Sequence, residues 1–207
     1  FGLDSCRLYP DFVARAEADS AMKCGYRTEG TLSIAVDRDQ MEQLEHRAAA
    51  HEELGLKAER LSARDVLQLE PGLNARIVGG LRTEIDCQVD PRALSAALVA
   101  AARARGVVFA NATELASVEL GPSGAVCGVS LRSAEEPMGA DTPDNRIETG
   151  NLVLCAGAWT RELIPELGTL PLYPVKGQVI RLRGEIPISH VVTSPHVYLV
   201  PRSGDEL

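Results

Sequence analysis

The chain contains 207 residues, of which 45% are hydrophobic and 24% are charged, a composition typical of a globular protein with one sizeable core or two small ones. The net charge of -8, with no long run among the 21 basic residues, argues against nucleic-acid binding, because phosphate contacts need clustered Lys and Arg. The same composition excludes disorder of the whole chain.

The cysteines and the apolar stretches indicate which kinds of globular protein the chain does not resemble. The five cysteines show neither close pairing nor the spacing of metal ligands, which predicts no disulfide framework and no metal site. Free thiols are typical of a reducing compartment, so we expect a cytoplasmic protein. The longest apolar stretches fall well short of the roughly 20 residues that a membrane-spanning helix needs, which predicts no membrane span.

The first part of the chain predicts a strand, a helix and a second strand. Residues 31–36 alternate between apolar and polar, as a half-buried strand does. Residues 40–54 place their apolar side chains on one helical face, and Gly55 offers a left-handed end to that helix. A strand is also expected at residues 77–81.

Two further helices are predicted from their N-terminal caps. Ser62 and Asp65 have the spacing of a capping box, and the helix that they start ends before a proline. Asp90 followed by Pro91 is a strong helix start, because Asp accepts free amide hydrogens while Pro has none to lose in the first turn. This helix is expected to run to Arg105.

The pattern then becomes rich in strands. Short strands are predicted at residues 107–110, 115–120 and 126–131, with a Gly-Pro-Ser-Gly turn joining the last two. Residues 134–145 predict an exposed loop, and residues 147–155 predict a buried strand.

The predicted strand at residues 147–155 leads into Ala156 and Gly157. Two such small residues let the backbone approach a ligand closely before a short helix, although a tight turn explains the same pattern. Residues 172–183 and 191–200 predict two long strands.

Several motifs follow one another in a specific order along the chain. They include Val89 to Leu94, Val153 to Thr160, Pro174 to Gln178 and Tyr198 to Arg202. In this order they resemble the central portion of the D-amino-acid oxidase superfamily of FAD-dependent oxidoreductases, closest to its glycine oxidase branch. Each motif alone is a weak signal, whereas their collinear order is specific.

The resemblance implies an α+β fold. It implies a fragment of a two-domain flavoprotein, with a mixed or antiparallel substrate-domain sheet and part of a Rossmann-like, three-layer FAD-binding domain. Residues 1–20 and 89–170 map to the FAD-binding domain, and residues 21–88 and 171–207 map to the substrate-binding domain. On this mapping the chain is a central piece, without the Gly-x-Gly-x-x-Gly loop that faces the FAD pyrophosphate and without the later strand whose arginine binds a substrate carboxylate. Arg202 is not expected to take over that role.

The cofactor that the resemblance implies is FAD, and four residues map to its site. Leu115 matches a position whose backbone meets the adenine end, and Ala156 and Gly157 lie where the backbone passes near the cofactor. Lys176 would place a positive charge near the flavin, which would stabilise its reduced anion. Leu115 is also explained as an inward-facing strand residue, and Lys176 as an exposed lysine on a strand.

Two residues map to the substrate site. Tyr198 and His196 match positions that face the substrate, and residues two apart on a strand share a face. Tyr198 would donate a hydrogen bond to a carboxylate, and His196 would adjust the charge of the cavity. The alternative is a half-buried aromatic at Tyr198 and a solvated strand-end residue at His196.

The implied function is oxidative deamination of a small amino acid or N-methyl amine, such as glycine, sarcosine or a D-amino acid, by hydride transfer to the flavin. Two alternatives stay open: a dehydrogenase of the same fold that uses an acceptor other than oxygen, and a folded module that is inactive in isolation. The expected partner is the small substrate, not nucleic acid, and a homo-oligomer is left open.

Overall fold

The computed structural model describes residues 2–133, 145–163, 171–185, 187–202 and 207. The chain divides into two compact units. The first comprises Phe1–Val107 and Ile180–Leu207, and the second comprises Val108–Val179. The predicted division into FAD-binding and substrate-binding domains stays a prediction.

A five-stranded mixed sheet organises the first unit. Its strands are β1 (Thr31–Ala35), β2 (Ala58–Ser62), β3 (Gly79–Thr83), β7 (Val191–Thr193) and β8 (Tyr198–Leu199). They lie in the order β2-β3-β1-β7-β8. The central strand, β1, is antiparallel to β3 and parallel to β7.

The two faces of β1 carry different cores, because successive side chains of a strand point to opposite faces. Leu32 is fully buried in one cluster with Leu61, Val66, Ile77 and Val192. The opposite face carries a second cluster, formed by Ala35, Leu44, Ala48 and Leu81. The sheet is therefore covered by an apolar cluster on each side.

Four helices belong to the first unit: α1 (Gly2–Ser20), α2 (Arg38–Glu53), α3 (Ala63–Leu69) and α4 (Pro91–Ala104). The Asp37 side chain accepts a hydrogen bond from the Gln40 amide at the start of α2. Ser62 and Asp65 form a reciprocal capping box at the start of α3. α1 and α4 pack together around a third cluster, formed by Val13, Ala16, Cys24, Leu94 and Ala97.

The second unit contains a three-stranded antiparallel sheet, formed by β4 (Thr113–Leu120), β5 (Val126–Ser133) and β6 (Asn145–Glu148). A turn closed by a 2.8 Å bond from the Gly121 amide to the Ala125 carbonyl joins β4 and β5. A single 3-10 turn at Gly157–Trp159 leads into α5 (Thr160–Leu163). The mixed and antiparallel sheets confirm the α+β class.

The elements with strong local signals are confirmed. They are β1, α2, α3 with its capping box, α4, β4 and β5. The predicted strand at 77–81 begins two residues later, at Gly79, where pairing with β1 starts. A side-chain carbon at Gly80 would lie 2.9 Å from both the Ser33 carbonyl oxygen and Val66 Cγ2, so the close packing of β1 on β3 requires glycine there.

Other predicted strands are wrong or shorter than expected. No strand forms at residues 107–110, because the Val107 amide bonds back to Ala102 at the end of α4 and the next residues are exposed. The strand expected at residues 147–155 is confined to β6, since hydrogen bonds between Thr149 and Asn151 turn the chain after it. The described part of residues 172–183 contains no strand. Sequence reasoning missed β2, whose charged residues do not alternate with apolar ones.

Three further predictions concerned disulfides, membrane-spanning helices and a loop. All five cysteines are free. Within the described ranges, no helix is both long enough and apolar enough to cross a bilayer. The loop predicted at residues 134–145 lies almost entirely outside the described residues.

The cap of α4 generates a prediction about stability at low pH. The Asp90 carboxylate accepts hydrogen bonds from the Arg92 and Ala93 amides at 2.8 and 3.1 Å. The Ala93 bond, aided by the Arg92 amide and by the charges of Arg202 and Arg92, outweighs burial and lowers the pKa of Asp90 below its ordinary value. The charged carboxylate therefore stabilises the folded chain above the unfolded pKa of about 3.9, and this stabilisation is lost as the pH falls through the lower folded pKa.

We expect Asp90→Ala to lower the free energy of unfolding at neutral pH by about 1 kcal/mol, because the cap is lost. Asp90→Asn should retain most of the cap but lose less stability on acidification than the native chain, because it cannot be protonated. Urea unfolding at a series of pH values measures both effects. Parallel acid profiles for the native chain and Asp90→Asn would contradict this assignment.

Candidate functional site

The two predicted substrate residues lie in the β7–β8 hairpin, residues 191–199. A tight turn separates its strands: the Ser194 amide bonds to the Val197 carbonyl at 2.8 Å, and Ser194 Oγ accepts from the Val197 amide at 3.1 Å. The single strand predicted for residues 191–200 is therefore two short strands. His196 lies exposed in the turn and Tyr198 on β8, so the expected sharing of one strand face does not hold.

Tyr198 ends a row of polar side chains that crosses three strands. Tyr198 is paired with Thr193, and Thr193 is paired with Ser33. Directly paired residues share a face of the sheet, and a 2.9 Å hydrogen bond joins the hydroxyl groups of Ser33 and Thr193. Arg47 of α2 also donates to Ser33 Oγ. Tyr198 is 70% exposed at the outer end of this row.

An apolar cavity of about 510 Å³ opens on the other face of the same strands. Leu199 and Val192, which are paired across the hairpin, form part of its wall together with Ile34 of β1. Asn74, Arg76 and Ser194 contribute the polar groups at this cavity. The hairpin thus presents an exposed phenol on one face and lines a cavity with its other face.

A buried carboxylate fixes the entry to the hairpin. Glu70, just after α3, is 0% exposed. It accepts bonds from the Ser189 amide at 2.9 and 3.0 Å, from the His190 amide at 2.7 Å, and lies 2.5 Å from His190 Nδ1. Because an ionised carboxylate can only accept, Nδ1 is the nitrogen of His190 that donates in this pair.

A guanidinium group joins the two ends of the hairpin. Arg27 donates to the Ser189 carbonyl before β7 at 2.7 Å and to the Pro201 carbonyl after β8 at 3.4 Å. It is also paired with Glu29 at 3.0 Å. Burial acts to raise the pKa of Glu29, but hydrogen bonds from Arg27 and the Glu29 backbone, with the interactions of Arg27 and His190, lower it overall.

Arg202 has a structural partner. Its Nη1 donates to the Val89 carbonyl at 3.0 Å, and its charge contributes to the lowered pKa of Asp90. The side chain therefore ties the chain after β8 to the segment before α4. This is consistent with leaving Arg202 out of the substrate site.

The four predicted cofactor residues all lie in the second unit. Leu115 is half-buried on β4, opposite Leu131 and beside a register shift. Ala156 is half-buried and Gly157 is exposed, at the end of an extended segment. Lys176 is exposed in a segment without regular structure. Their contact with FAD stays a prediction.

Gly157 fits a backbone that a cofactor approaches closely. Its φ of +56° lies in the left-handed region, which strains other residues, and a side-chain carbon added there would meet nothing within 4 Å. Ala156 and Gly157 therefore leave the backbone uncovered on that side. These residues fit one wall of an FAD site, while the sequence contains no glycine-rich pyrophosphate loop.

The described residues contain no group of three or more His, Cys, Asp or Glu side chains that could hold a metal ion. Sequence reasoning missed Glu70 and His190, which it assigned to a turn and to no role. The partners of Glu70 are 119 and 120 residues away in the chain, so no local pattern predicts them.

Comparison with known proteins shows one consistent relationship. The chain matches the family model for FAD dependent oxidoreductases (DAO) over residues 3–207. It is 30% identical over 200 residues to the bifunctional protein ThiO/ThiG of Trichormus variabilis, covering 94% of this chain and 28% of that protein. It is 26% identical over 209 residues to glycine oxidase of Geobacillus kaustophilus, covering 99% of this chain and 52% of that enzyme.

A solved structure shares the fold. The crystal structure of glycine oxidase from Bacillus cereus matches with a TM-score of 0.85 at 22% identity, covering 100% of this chain and 55% of that one. At this identity the match shows the fold alone. The chain spans about half the length of the glycine oxidases that it matches.

The contact between Arg202 and the start of α4 generates a second prediction. Arg202→Met should lower the free energy of unfolding by about 1 kcal/mol, because the bond to the Val89 carbonyl and the charge near Asp90 are both lost. The effect should be smaller in the Asp90→Asn background, since one of the two interactions is already absent. Urea unfolding of the four chains forms the cycle, and strictly additive losses would contradict the coupling.

Proposed function

Because the chain belongs to the family of FAD dependent oxidoreductases, we propose that the full-length protein oxidises a small amino acid or N-methyl amine, with FAD as the acceptor of the electrons. The observation that carries this proposal is Tyr198, an exposed phenol at the end of a polar row on a sheet that is packed on both faces. Such a hydroxyl suits a small carboxylate, and its sheet supplies the rigid support that substrate orientation needs. Glycine oxidase among the relatives makes glycine or sarcosine the first substrates to test.

FAD, when bound, accepts the hydride equivalent that leaves the α-carbon of the substrate. Ala156, Gly157 and the backbone at Leu115 are the residues of this chain that would hold it, and Lys176 would supply a positive charge near the ring. We assign Tyr198 the task of donating a hydrogen bond to the substrate carboxylate. His196, in the neighbouring turn, would adjust the charge that the substrate meets.

The proposed reaction needs no pair of acid and base residues in the described part of the chain. The chain has to orient the substrate and exclude competing reactions, because the cofactor provides the electron chemistry. Oxygen is the proposed electron acceptor; reoxidation that requires a quinone would identify a dehydrogenase of the same fold instead.

The role of Tyr198 can be tested in the full-length flavoprotein. Tyr198→Phe should raise the KM for the amino acid about tenfold, because a hydrogen bond to a charged group is lost, while kcat changes less. Tyr9→Phe is the control, since Tyr9 packs against the cluster between α1 and α4 and is assigned to no site. Steady-state oxygen consumption gives both constants. An unchanged KM in Tyr198→Phe would exclude a carboxylate contact by this residue.

A further inference from the structure

We propose that Glu70 is a positioning residue that holds the β7–β8 hairpin so that Tyr198 is presented to the substrate. This inference rests on the proposed substrate role of Tyr198. Glu70 lies outside the hairpin and acts on it only through the backbone and side chain of residues 189 and 190.

Three hydrogen-bond donors surround the carboxylate of Glu70. The amides of Ser189 and His190 and the His190 imidazole all point to it within 3.0 Å, and it is fully buried. Burying a charge is costly unless it is paired and hydrogen-bonded, and here each donor reduces that cost. Two backbone amides and one side chain fix both the position and the orientation of the chain at His190.

The two strands of the hairpin have few contacts with each other, and β7 is joined to β1 by three residue pairs. β7 and β8 share only two residue pairs, Val192 with Leu199 and Thr193 with Tyr198. His190 immediately precedes β7, and Thr193, three residues later, is paired with Tyr198. A displacement at His190 therefore reaches the phenol through a short length of backbone.

Packing at the same turn restrains the segment from a second direction. Gly72, two residues after Glu70, lies so close to Pro187 that an added side-chain carbon would be 2.7 Å from Pro187 Cγ. The turn after α3 thus meets the chain before β7 through both a close backbone contact and a buried carboxylate–imidazole hydrogen bond. The apolar cluster around Leu32 and Val192 supplies burial, while the pairing of β7 with β1 and the hydrogen bonds to Glu70 specify direction.

The test uses Glu70→Gln in the full-length flavoprotein, which keeps the shape of the side chain but turns an amide N–H toward backbone N–H groups. Glu53→Gln, at the exposed end of α2, is the matched control. Acetate serves as the carboxylate probe and is followed through the visible flavin spectrum. We expect the acetate Kd and the substrate KM to rise in Glu70→Gln by up to about tenfold, the effect of removing the Tyr198 hydroxyl, with a smaller change in kcat.

Two readouts separate positioning from general stability. In the Tyr198→Phe background, Glu70→Gln should change the acetate Kd less than about twofold, because the group through which it acts is already absent. Amide hydrogen exchange should accelerate at residues 189–199 but not at residues 31–35 of the central strand. Equal effects of Glu70→Gln with and without the Tyr198 hydroxyl would overturn the inference, as would unchanged exchange in the hairpin.

His190 provides a second pair of variants if Glu70→Gln does not fold. His190→Asn keeps an N–H donor near the position of Nδ1 and should retain native acetate binding, whereas His190→Leu should weaken it. Equal acetate binding by these two variants would overturn the role of the hydrogen bond between His190 and Glu70. If the native protein neither binds acetate nor oxidises amines, the proposed function fails, and hydrogen exchange in the same variants still decides whether Glu70 holds the hairpin.

Discussion

The bonds from Ser189 and His190 to the buried carboxylate of Glu70 determine how the two ends of the first unit meet. Without them, β7 would still bury Val192 against Leu32, but its direction would rest on three residue pairs with β1. The hairpin that carries Tyr198 begins at these hydrogen bonds, and Arg27 ties its far end back to the same point. The candidate substrate site therefore depends on a polar contact that joins residues 120 positions apart.

Local sequence patterns were sufficient to predict a helix or strand where its residues interact with near neighbours in the chain. The capping box of Ser62 and Asp65 and the Asp90 cap both work over two or three residues, so their helices could be predicted from the chain alone. The strand β1 could be predicted in the same way, because its side chains point alternately to the two faces of the sheet. The family resemblance rested on motif order, and the match over residues 3–207 confirms it.

Features that depend on distant partners could not be predicted in this way. β2 is charged and is a strand only because β3 pairs with it along five residues. The turn between β7 and β8 depends on the hydrogen bond from the Val197 amide to Ser194. The apolar residues between 191 and 200 do not reveal this turn, so the sequence predicted one long strand in place of two short ones. Tyr198 was identified through the resemblance, whereas Glu70 and His190 required the structure, because their chemistry is visible only when α3 and β7 are brought together.

In the proposed function, the full-length protein reduces bound FAD with electrons from a small amine. Anaerobic mixing of the flavoprotein with glycine, sarcosine or a small D-amino acid tests it most directly, with the visible flavin absorbance as the signal. We expect loss of this absorbance with at least one of these substrates, and a slower loss when its α-carbon carries deuterium. A flavin that stays oxidised with every small amino acid and N-methyl amine would exclude the proposed oxidation.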